Sequence, residues 1–130
     1  MQKKNIILLI EDELPLIRII KKNLEINNFK ILIARTVKEA IEALQKNKHI
    51  SAVWLDHYLI GKKNGMDLVY VMKKKKSEWK DIPIFVVSNT ATGKKIYSYI
   101  ELGVVKFYVK TDHFITEIIK DIKKYLSKEK

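Results

Sequence analysis

The stretch Ile6-Ile7-Leu8-Leu9-Ile10-Glu11-Asp12 sets five aliphatic residues directly against two acids. Two later stretches repeat the arrangement: Ala52-Val53-Trp54-Leu55 runs into Asp56, and Ile84-Phe85-Val86-Val87 into Ser88. A fourth, Phe107-Tyr108-Val109, ends at Lys110. Short continuous apolar runs mark strands buried on both faces, as in parallel sheets. In open α/β sheets ligands bind just past the carboxyl ends of the strands. One sheet edge would then collect Glu11, Asp12, Asp56, Ser88 and Lys110, a set suited to a divalent cation and a phosphoryl group. Three adjacent carboxylates repel one another and are costly without a cation. Mg²⁺ accepts a few carboxylates and keeps places for water and phosphoryl oxygen.

Between these runs lie helical patterns. The spacing predicts a first helix from about Leu14 to Asn27, with Pro15 in its first turn, where a missing N–H costs nothing. Leu16, Ile19, Ile20 and Leu24 give it an apolar face. Lys30 to Ala34 reads as a second strand. Thr36 with Glu39 forms the pattern of a capping box, opening a helix buried on Val37, Ala40, Ile41 and Leu44. The third strand covers about Ala52 to Asp56, and a polar loop from Leu59 to Asn64 leads to a third helix at Gly65, which Lys73-Lys74-Lys75-Lys76 ends. Pro83 opens the fourth strand, Thr92-Gly93 the fourth helix, and Gly103 fits its end. The fifth strand spans about Lys106 to Val109. The fifth helix runs from near Asp112 to Leu126 on Phe114, Ile115, Ile118, Ile119, Ile122 and Leu126. Five βα units imply an α/β fold: a doubly wound five-stranded parallel sheet, order 2-1-3-4-5, with five helices on its two faces. The switch point falls between the first and third strands, beside Glu11, Asp12 and Asp56.

The bulk numbers agree. A chain of 130 residues reads as one domain, 1–130, large enough to bury roughly two-thirds of its unfolded surface. It has no cysteine, so disulfides, thiolate metal sites and cysteine nucleophiles are excluded. No window approaches the roughly 20 apolar residues of a membrane span, and Glu11-Asp12-Glu13 cuts the first apolar run too early for a secretory leader. A cytoplasmic location without a membrane partner is expected. The net charge is +11, but all of the 26 basic residues except Arg18 and Arg35 are lysine. Base readout and bidentate phosphate clamps favour arginine, so the charge reads as a solvated surface and no specific nucleic-acid partner is expected.

Taken together, the Ile10-Glu11-Asp12-Glu13 segment, Leu55-Asp56, Gly65-Met66-Asp67-Leu68, the Pro83-to-Ser88 strand and Phe107-Tyr108-Val109-Lys110 resemble the receiver domain of two-component response regulators. The resemblance covers essentially the whole chain and implies a flavodoxin-like, stand-alone receiver without an output domain. It implies that Asp56 is the phosphoacceptor, taking a phosphoryl group from the phosphohistidine of a sensor kinase or phosphotransfer protein. Glu11, Asp12, Asp56 and the backbone carbonyl of Tyr58 would hold Mg²⁺, while Ser88 and Lys110 would bind phosphoryl oxygens. Ser88 and Phe107 would form the switch. The fourth helix, fifth strand and fifth helix would be the surface for a downstream protein partner or a homodimer, with Tyr97, Tyr99 and Ile100 as candidate contacts. The chain would be no enzyme beyond its own phosphoryl acceptance and dephosphorylation. A degenerate receiver, acting as a phosphorylation-independent binding module, is the alternative.

Three places depart from the family pattern. Ile60 stands where relatives carry proline, and Gly65 follows Asp56 by nine residues rather than eight. Asn89 replaces a small residue after Ser88, and Thr111 the proline after Lys110. His57 follows Asp56 directly, but strand alternation turns it to the opposite face, and neither His49 nor His113 has metal-ligand spacing with it. Trp54 and Trp79 read as packing residues.

Overall fold

Strands and helices alternate throughout the computed structural model, which describes residues 4–89, 92–110 and 113–128. The order is β1 (Ile6–Ile10), α1 (Leu14–Ile26), β2 (Lys30–Ala34), α2 (Val37–Lys46), β3 (Ile50–Leu55), α3 (Gly65–Met72), β4 (Ile84–Ser88), α4 (Gly93–Leu102), β5 (Lys106–Val109) and α5 (Ile115–Lys128). All strand pairs are parallel, and the sheet order is β2-β1-β3-β4-β5, as the sequence predicts.

Side chains alternate between faces along each strand, so each continuous apolar run feeds two cores. Leu8, Ile10, Val53, Leu55 and Val86 pack under α2, α3 and α4. Ile7, Leu9, Trp54, Phe85 and Tyr108 pack under α1 and α5. Burying one such aliphatic side chain is worth roughly 1.5–3 kcal/mol. The two-sided core therefore fixes the central strands, and with them the edge where those strands end. No helix among the described residues is long and apolar enough to cross a membrane.

Several local expectations need correction. Ile19 is half exposed, and Ile17 takes its place in the core of α1. β3 begins two residues early, at Ile50, because the pairing with β1 shifts register there and the Ser51 hydroxyl accepts the Ile6 N–H at 3.1 Å. Only half of the capping box at α2 forms: Thr36 Oγ1 accepts from Glu39 N, while the Glu39 carboxylate reaches past it to the Arg35 N–H. A complete box forms instead at α3, between Asn64 and Asp67. The lysine run lies beyond α3, with Lys73 as its C-cap, its Nζ donating to the carbonyls of Lys80 and Ile82. Phe114 precedes α5 and is 80% exposed rather than core. Thr111 and Asp112, the latter the expected start of that helix, lie outside the described residues.

Candidate functional site

The hydrogen-bond ladder runs on past the strand ends and clamps the backbone of the site residues. Glu11 N donates to Ala34 O (3.0 Å), Asp56 N to Ile10 O (2.9 Å) and Lys110 N to Ser88 O (2.8 Å). Residues from four strand ends are thereby held at one edge before any ligand arrives.

Carboxylate oxygens of Glu11, Asp12 and Asp56 lie within 4.8 Å of one another. Glu11 is fully buried; its Oε2 accepts the N–H groups of Asp12 and Glu13, and its Oε1 accepts from Lys110 Nζ at 3.0 Å. The same ammonium stands 3.8 Å from Asp56. One lysine thus pairs with two of the three carboxylates. The carboxyl of Asp56 is pushed up from 3.8 to about 7, chiefly by burial and then by the Glu11 charge, with Asp12 adding to both; Lys110 and the Tyr58 N–H pull the other way. A carboxyl that cannot shed its proton easily in this company fits a place for a divalent cation, which would relieve the repulsion.

Asp12 does not cap α1: the N-cap is Glu13, with no side-chain capping bond. The Asp12 main chain is instead gripped by Arg35, whose Nε and Nη2 donate to its carbonyl at 3.2 and 2.7 Å. Sequence reasoning missed this role. The signal was there, since one of only two arginines directly follows β2 at the same sheet edge.

Ser88 closes β4, and its buried Oγ has no hydrogen-bond partner among the described residues. An unpaired buried hydroxyl costs about 1–3 kcal/mol, a cost that a phosphoryl oxygen at this edge would offset. Tyr58 is exposed, and its hydroxyl accepts from Lys95 on α4 at 2.7 Å. Phe107 is half-buried and rests against Tyr99, ring centroids 5.5 Å apart.

His57 is buried, and its Nδ1 is hydrogen-bonded to the Tyr99 hydroxyl. Burial, and after it the Lys95 charge, lower its pKa from 6.5. Of the three candidate contacts on α4, Tyr97 and Ile100 are exposed, but Tyr99 is core. Gly65 is forced by this packing. A Cβ there would stand 2.8 Å from the Tyr99 hydroxyl and 2.9 Å from the Asp56 carbonyl oxygen.

A family model described as the cyclic-phosphate processing receiver domain matches residues 6–102. The chain belongs to the receiver-domain family. No match is found among curated proteins. Among solved structures, the non-phosphorylated HemR receiver domain from Leptospira biflexa is 30% identical, with a TM-score of 0.82 over 95% of each chain. The Mn²⁺-bound form of response regulator Rcp1 is 21% identical, with a TM-score of 0.78 over 93% of each chain. The chemotaxis protein CheY4 of Vibrio cholerae is 16% identical, with a TM-score of 0.82 over 94% of this chain and 98% of its own. The last two show likeness of fold alone, and all three share the doubly wound arrangement of this receiver.

Proposed function

We propose that this receiver is a phosphoacceptor switch in which Asp56 takes a phosphoryl group from a phosphohistidine. The observation that carries the reading is the convergence of Glu11, Asp12 and Asp56 within 4.8 Å, with Lys110 bridging two of them. An Asp56 carboxylate oxygen attacks phosphorus; the new P–O bond forms as the P–N bond breaks, and the imidazole leaves with the electron pair. Lys110 and the Ser88 hydroxyl, which has no partner among the described residues, hold two phosphoryl oxygens, so the chain's contribution is positioning and charge neutralisation. Mg²⁺, which Glu11, Asp12, Asp56 and the Tyr58 carbonyl would hold, would supply the remaining positive charge. The product is an acyl phosphate, which water removes, and the chain performs no reaction beyond this acceptance and loss.

The donor is a sensor histidine kinase or phosphotransfer protein in the cytoplasm. A protein partner reads the surface of α4, β5 and α5, which Ser88 and Phe107 bias by moving together. With acetyl phosphate and Mg²⁺ the chain should gain one phosphoryl group by intact mass, at a rate lowered in Ser88→Ala. Incorporation that survives in Asp56→Asn would reject the assignment, whereas a chain that binds neither Mg²⁺ nor beryllofluoride would favour a binding module indifferent to phosphorylation.

A further inference from the structure

Helix α4 is seated unlike its neighbours. Tyr99 is the single fully buried side chain of Gly93–Leu102, whereas α3 and α5 each bury four residues. That one anchor carries a hydroxyl, and the hydroxyl is hydrogen-bonded to His57, the residue joined to Asp56. The ring of the same tyrosine lies against Phe107 on β5. Gly65 leaves no slack beside it, because the main chain approaches too closely for a Cβ. A second, exposed tie joins Lys95 of α4 to the Tyr58 hydroxyl.

We propose that the Tyr99–His57 hydrogen bond is a strut that carries displacement of the acceptor segment into α4, making Tyr99 a positioning residue of the switch. The inference rests on the phosphoacceptor reading of Asp56. Both partners are buried, so parting them strands a hydroxyl and an imidazole nitrogen away from water, at a cost above thermal energy. When residues 56–58 shift, moving α4 with them costs less than breaking the bond, since only one buried side chain holds that helix down. The same movement slides the Tyr99 ring over Phe107, so the strut and the β5 aromatic answer together. A purely apolar residue at position 99 would fill the space without following His57.

The test uses the full chain with Mg²⁺ and beryllofluoride as the phosphoryl mimic. Amide chemical shifts of residues 93–102 report α4, and Trp54 fluorescence reports occupancy. In Tyr99→Phe, which keeps the ring against Phe107, beryllofluoride should still bind while the α4 shift changes shrink, the equilibrium constant for the displaced helix falling about fivefold, the worth of one hydrogen bond. His57→Leu should lose the α4 response as well. Parent-sized α4 changes in either variant with beryllofluoride bound would overturn the strut alone. A parent protein that binds no beryllofluoride would overturn the phosphoacceptor reading and the strut with it.

Discussion

Asp56 combines a proposed chemical role with an unfavourable resting place. Its carboxyl titrates near 7 in the folded chain and near 3.8 when unfolded. Between those values the folded state holds a proton that the unfolded state has lost. The stabilisation is complete below about 3.8 and is lost as pH rises through about 7. Without divalent cation, unfolding free energies from urea titrations should therefore fall between about pH 5 and about pH 8, by on the order of 2 kcal/mol. Asp56→Asn should flatten that decline, and a parent whose stability rises over the same interval would contradict it. Saturating Mg²⁺ should restore the loss by binding only the folded state. The ion pair beside it makes a second prediction. Lys110→Met leaves the fully buried Glu11 without its cation and should cost about 3 kcal/mol in equilibrium unfolding, because a stranded buried charge is the expensive case. These acids were legible in the sequence because each ends an apolar run that could only be a buried strand. Tyr99 was not, since the spacing of Tyr97, Tyr99 and Ile100 leaves open which of them faces inward.

At the scale of elements, the strands were plainer than the ends of helices. A run such as Ile84–Val87 has few alternatives, whereas a cap depends on which side chain reaches which N–H. Asn64 read as loop, yet its Oδ1 accepts from Met66 N and Asp67 N and the Asp67 carboxylate closes the box at 2.8 Å. Asn64→Ala should lower stability by about 1 kcal/mol in a urea titration. A change below a few tenths would show that packing alone holds the start of α3. Gly65→Ala tests the neighbouring position. The methyl group would push on the Asp56 carbonyl as well as on Tyr99, so the cost should exceed that of the lost cap, and phosphoryl acceptance should slow. The readings at Ile19 and Phe114 failed for local reasons. Periodicity allows either Ile17 or Ile19 to face the core of α1, and it cannot place Phe114 one residue before the first turn of α5.

For the molecule as a whole, the excess of positive charge is the feature that neither fold nor site requires. The net charge is +11, and close ion pairs among the described residues engage only Lys48, Lys106 and Lys110 of the lysines. The other described lysines therefore act mainly as a shell of mutual repulsion, which favours expansion of the chain. Salt shortens the reach of that repulsion from about 30 Å at 0.01 M to about 8 Å at 0.15 M. Raising NaCl across this range should increase the thermal midpoint of the metal-free protein by a few degrees. Above about pH 7, Asp56→Asn should respond at least as strongly, because it removes one of the 15 acids opposing the lysines. A midpoint that fell with salt would mean that attractive pairs outweigh the repulsion, and that the shell is organised against acids the ion-pair geometry does not reveal.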